Sequence, residues 1–165
     1  MSSMLPLSNS RHFLFALVLV AGVLSSCSEP VLYESNLEIR EGTWRAEENL
    51  EFSWSVGDTT QWYVMELVVE HDAEFPFQNQ YVKTVTRFPD SSNREQVLSL
   101  ELFDDVGRPF GKCRGENCFV TLTLQPRFKF PQPGEYRLSL YQNGRTASIV
   151  GIRHIGLRIF PELKK

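Results

Sequence analysis

The sequence is poor in the residues that build reactive sites. Its 165 residues include only three cysteines and three histidines. No G-x-S-x-G, H-E-x-x-H, G-x-G-x-x-G or P-loop segment occurs in it. The two histidines beyond the leader, His71 and His154, fall in separate strand-like segments with no ligand spacing, so a metal centre is not expected. Adjacent acids do occur, as Glu47-Glu48 and Asp104-Asp105. Neighbours in a strand point to opposite faces, however, and neighbours in a loop are ordinarily solvated. A calcium ion takes about six to eight oxygens, more than Asp104-Asp105-Val106-Gly107 offers. Acids and bases are interspersed, without the basic block of a nucleic-acid binder or the acidic tail of a disordered chain. Neither a repeat nor a low-complexity tract breaks the chain. These absences predict a protein that is not an enzyme and holds no cofactor.

Long apolar runs are equally scarce. The single one, Phe13–Leu24, spans only about 18 Å as a helix, short of the roughly 30 Å of a bilayer core. With Arg11 ahead of it and small residues behind, it reads as a secretory signal peptide over residues 1–26. Leu24-Ser25-Ser26-Cys27 resembles the bacterial lipobox, in which the cysteine receives diacylglycerol, becomes the first mature residue and is N-acylated. Two or three acyl chains of the palmitate kind hold a protein to a bilayer where one does not. Residues 27–36 would be the lipidated N-terminus and a polar tether. Residues 37–165 would be one β-sandwich domain, a size that can bury an ordinary core. With Cys27 assigned to lipid, Cys113 and Cys118 in GKCRGENCF form an even pair. In an exported chain this predicts a local disulfide on a hairpin loop.

What dominates the mature region is alternation of period two. Leu50, Phe52, Trp54 and Val56 share one strand face; Tyr63, Met65, Leu67 and Val69 share another. The same pattern runs through EQVLSLELF, CFVTLTLQ, EYRLSLYQ and GIRHIGLRIF, the last with Ile155, Leu157 and Ile159 inward. YVKTVTRFP makes a more polar strand, and one more is expected between Val31 and Ile39. Turn residues separate them at Gly57-Asp58, Pro89-Asp90, Asp104–Gly107, Pro131–Gly134 and Asn143-Gly144. The expectation is an all-β, antiparallel sandwich of seven to eight strands in a single domain, immunoglobulin-like or jelly-roll-like. In PQPGEYRLSL, Tyr136 is either a tyrosine that ties down a strand corner or plain core.

Aromatic residues supply the candidate binding surfaces. Trp44 and Trp62 could stack on a sugar or small ligand, whereas Trp54 alternates with core residues. The triplet Phe75-Pro76-Phe77, followed by Asn79, is either a plug under a crossing loop or part of a partner surface.

Taken in order, several segments resemble the gliding-motility lipoprotein GldH family of Bacteroidota. They are the lipobox, Gly42-Thr43-Trp44, Asp58-Thr59, Tyr63, Phe75-Pro76-Phe77-Gln78-Asn79, Pro133-Gly134-Glu135-Tyr136 and Gly151-Ile152 with Gly156-Leu157-Arg158-Ile159. The Cys113/Cys118 loop lies outside that pattern. The resemblance implies a non-enzymatic, lipid-anchored envelope protein, held at the periplasmic face of the outer membrane. It would act with other gliding-motility or type IX secretion envelope proteins, with no nucleic acid involved and no catalytic residues to carry over. The competing expectation is a carbohydrate- or small-ligand-binding surface lipoprotein that uses an exposed Trp44 or Trp62; both exposed around one groove would favour it, and both buried would exclude it.

Overall fold

The computed structural model describes residues 30–162, so the signal peptide over 1–26 and the lipidation of Cys27 concern positions outside the described residues. There are eleven strands, all pairing antiparallel, and one 3-10 turn at Arg40–Gly42. They are β1 (Tyr33–Glu38), β2 (Thr43–Arg45), β3 (Asn49–Val56), β4 (Tyr63–Asp72), β5 (Asn79–Arg87), β6 (Asn93–Glu101), β7 (Lys112–Arg114), β8 (Asn117–Phe128), β9 (Gly134–Gln142), β10 (Ser148–Val150) and β11 (Ile152–Pro161). The expected count of seven to eight is therefore low. The surplus is β2, β7 and β10, each of 3 residues, too short for a period of two to register. The tether is also shorter than expected. Leu32 N–H already donates to Ile159 O at 2.9 Å and β1 opens at Tyr33, so the domain begins before residue 37.

The pairing of the long strands is nested. The outermost pair is β1 with β11, and inside it β3 pairs with β9, β4 with β8 and β5 with β6. Two sheets result, ordered β1-β11-β4-β8-β7 and β3-β9-β5-β6, while β2 and β10 pair as a small ribbon. This is the jelly-roll form of the sandwich. The alternations read from sequence hold as inward faces. Leu67, Val69, Ile155, Leu157 and Ile159 of the larger sheet and Phe52 and Leu140 of the smaller one are fully buried.

The alternation changes character on one flank. Inward residues of β5 and β6 sit opposite one another as Gln80/Leu100, Val82/Leu98, Thr84/Gln96 and Thr86/Arg94. The last two pairs are polar and charged where a core would need apolar groups. Facing them, Leu122 and Leu124 of β8 and Met65 of β4 are only partly buried. Beyond Phe119, where β7 stops, β8 has no partner on its outer side, and β6 is the edge of its own sheet. The sandwich is therefore open between β6 and β8.

Candidate functional site

Two places on the molecule gather unusual side chains, one at each end of β4. The first lies where β1 enters, and can be called the tether end. Tyr33, Trp54, Tyr63, Phe88, Phe128, Phe130 and Tyr136 form one aromatic cluster there, with ring centroids 4.9–6.3 Å apart. Tyr136 satisfies both readings of its segment. It is 2 % exposed, and its Oη donates to Gln132 O at 2.7 Å, tying the Pro131–Gly134 turn to β9. Tyr63 Oη likewise donates to Asp58 O at 3.0 Å. Burial raises the pKa of both phenols, so neither ionises at ordinary pH.

The open flank turns this cluster into the wall of a cleft of about 360 Å³ between the two sheets. Its floor is Trp54, Phe88, Phe128, Phe130 and Leu98; its polar side comprises Thr84, Thr86, Gln96 and Gln125; Arg94 and Lys129 also line it. Sequence reasoning missed this cleft. The signal available was the run of polar residues at inward positions of β5 and β6, which becomes meaningful only once the register is known.

The second place is the far end, where β4 passes into the Ala73–Gln78 loop. Asp72 accepts two bonds from Arg153, Nε at 2.6 Å and Nη2 at 2.9 Å, and this pairing raises the arginine pKa further. The bidentate pair joins the end of β4 to the start of β11. Phe75 packs beneath it. A Cβ at Gly151, where φ is +102°, would lie 3.1 Å from the Phe75 ring, so a bare glycine is what lets the loop close. His71 is fully buried between Phe75 and Phe103, with ring centroids at 6.1 and 5.1 Å. Its Nδ1 lies 2.8 Å from Asp72 O, which can only accept, so Nδ1 carries the proton and Nε2 is a buried acceptor without a partner. Burial lowers the His71 pKa.

At the same end, Gln78 stitches two loops together. Its carbonyl accepts from Leu102 N–H (2.9 Å) and Phe103 N–H (3.0 Å), and its Nε2 donates to Asp104 O (3.1 Å). Phe77, Val106 and Phe110, respectively 50 %, 68 % and 59 % exposed, stand on the joined loops. The Asp104 carboxylate is occupied by its own turn, accepting from Val106 N–H, Arg108 N–H and Arg108 Nε at 2.8–3.0 Å. The Arg108 N–H is the main cause of its lowered pKa. Among the described residues no three His, Cys, Asp or Glu side chains gather as metal ligands would.

The aromatic residues singled out from sequence divide between these places. Trp44 is 1 % exposed and donates from Nε1 to Glu48 O at 2.9 Å; it is core, and a partner surface cannot use it. Trp62 is 38 % exposed at the tether end, with Arg127 and Lys129 at 4.3 and 4.9 Å from its ring centroid. The two tryptophans therefore flank no common groove, and only Trp62 of the pair is exposed for stacking. The Phe75-Pro76-Phe77 triplet is split. Phe75 is the plug at 6 % exposure, whereas Pro76 and Phe77 face solvent, and Asn79 donates to Ser99 Oγ at 2.6 Å. Cys113 and Cys118 are disulfide-bonded directly across the β7–β8 hairpin, with Gly115 at φ +61° in the turn.

Comparison with known proteins gives one extended match. A family model described as GldH lipoprotein covers residues 31–159, from just before β1 to the end of β11. No curated protein matches the sequence. Among solved structures, the chain is similar to part of a family GH115 4-O-methyl-α-glucuronidase, BtGH115A (10% identity, TM-score 0.46, 84% of this chain and 18% of that one). It is also similar to part of the insecticidal δ-endotoxin Cry8Ea1 from Bacillus thuringiensis (13% identity, TM-score 0.40, 73% and 19%). A third is the dimeric latent PorU from Porphyromonas gingivalis (11% identity, TM-score 0.28, 87% and 14%). The chain thus spans less than a fifth of each of these proteins, at similarities that carry no functional argument.

Proposed function

The chain belongs to the GldH lipoprotein family, a family of gliding-motility lipoproteins, and on that premise we propose that it is a non-enzymatic assembly component of the gliding apparatus. Residues 1–26 direct export and are removed. Cys27 carries acyl chains of the palmitate kind and holds the domain at the periplasmic face of the outer membrane. There it contacts other envelope proteins of gliding and of type IX secretion. The observation that carries this reading is the family match across the whole jelly roll. The joined loops at the far end add support: they expose Phe77, Val106 and Phe110 on a frame held by Gln78 and by the Asp72–Arg153 pair. Rigid loops bearing apolar side chains are what a protein partner uses.

A clean deletion tests the proposal. Colony spreading should stop and should return with the wild-type gene, but not with a Phe77→Asp, Phe110→Asp double variant that still folds. Spreading and secretion that persist in the deletion strain would reject the assembly role. Metabolic labelling with alkyne palmitate tests the anchor separately, and a Cys27→Ala chain should take up none.

A further inference from the structure

The cleft between β6 and β8 combines room with charge that has no counterpart. We propose that it binds a single-chain anionic amphiphile, a long-chain fatty acid, with the tail along the aromatic floor and the carboxylate at Arg94 and Lys129. The volume, about 360 Å³, falls within the roughly 300–1,000 Å³ of ligand sites. The sixteen lining residues include two cations and no carboxylate. Among the described residues neither cation has a carboxylate within ion-pair distance, although Lys129 is near enough to lower the pKa of Asp58. Arg94 instead lies 5.7 Å over the Phe88 ring, and Lys129 lies over Trp62. Cations resting on aromatic faces beside an apolar trough suit an anion whose remainder is hydrocarbon. Trp54, 5 % exposed, contributes apolar surface to the lining.

The test reconstitutes the full lipoprotein in nanodiscs containing diazirine-bearing palmitic acid, irradiates it and maps the label by mass spectrometry. The label should concentrate on peptides carrying Trp54, Leu98 and Phe128–Phe130. Gln96→Phe, whose ring would occupy the cleft, should abolish it, and Thr86→Leu should reduce it; thermal melting verifies that each variant is folded. The Arg94→Gln, Lys129→Gln double variant should weaken labelling about tenfold, to the level given by diazirine-bearing hexadecanol. Label confined to other surfaces, label that survives Gln96→Phe, or equal labelling by acid and alcohol would overturn the proposal. So would an unlabelled wild-type cleft, the result expected if an acyl chain of Cys27 already fills it. A deletion strain that glides normally would reject the assembly role and leave every one of these outcomes unchanged.

Discussion

The two flanks of this sandwich are built from the same alternating pattern and end in opposite states. Where β1 faces β3, inward positions hold Phe52, Leu140, Ile155, Leu157 and Ile159, all fully buried. Where β6 faces β8, the inward positions Thr84, Thr86, Gln96 and Arg94 are polar, and the leucines opposite stay half wet. Strand pairing is complete along β5 and β6 through all nine registered pairs. The open flank is thus not a failure of the sheet. It is a choice of side chains on a backbone that would accept a core. Inward-pointing polar residues on an edge strand also discourage that edge from pairing with another chain.

Truncating a residue on each flank gives the largest test of that contrast. Leu157→Ala should cost about 2–5 kcal/mol, the range for a fully buried leucine. Leu124→Ala, in the half-open flank, should cost well under about 2 kcal/mol. Equal losses by urea denaturation would mean that the open flank is a core after all. Next in size, Tyr136→Phe strips Gln132 O of its buried donor at the wall of the cleft, a loss of about 1–3 kcal/mol. Reducing the Cys113–Cys118 disulfide should cost about 2 kcal/mol, since the bridge closes a loop with a sequence separation of 5. It should leave the cleft unaffected, because the hairpin belongs to the far end.

The smallest effect is one of pH. An unfolded histidine titrates near about 6.5. Burial holds folded His71 below that value, so the unfolded chain takes up the proton first. Stability should therefore fall as pH drops through about 6.5, levelling off below the folded pKa. A His71→Leu chain should lose that slope in urea midpoints measured between pH 7.5 and 5, and a slope that persists would assign it elsewhere. Asp58, Asp90 and Asp104 act in the same direction, at lower pH. Bonds from their own turns lower their pKa values, so their contribution is present above about pH 3.9 and fades as pH falls through the folded values. Asp58 and Asp90 are exposed and Asp104 is partly covered by its own turn, and the share of all three is small.

How far the sequence was legible follows from the same contrast. The eight long strands announce themselves because residues such as Ile155, Leu157 and Ile159 repeat every second position and meet apolar partners. The corner at Tyr136 and the staple at Cys113–Cys118 were local enough to read from adjacent residues. Trp44 was misjudged because β2 has three residues and shows no face of its own. Phe75 and Phe77 share one triplet, and the one that goes under packs against Gly151, a neighbour far away in sequence. The cleft was invisible for a deeper reason. It depends on Thr86 lying across from Arg94 and on Phe128 coming over from the other sheet, relations that no linear spacing encodes.

The nested order of the strands also sets a timetable. The last strand, β11, stands in the middle of its sheet, between β1 and β4. Until residues 152–161 leave the ribosome, β1 lacks its partner among the described strands and one side of β4 stays bare. Such a chain cannot finish folding piecemeal as it is synthesised, and pairings this distant in sequence place it among slow folders. A stop codon ahead of position 152 would then remove the middle of the larger sheet, not its border.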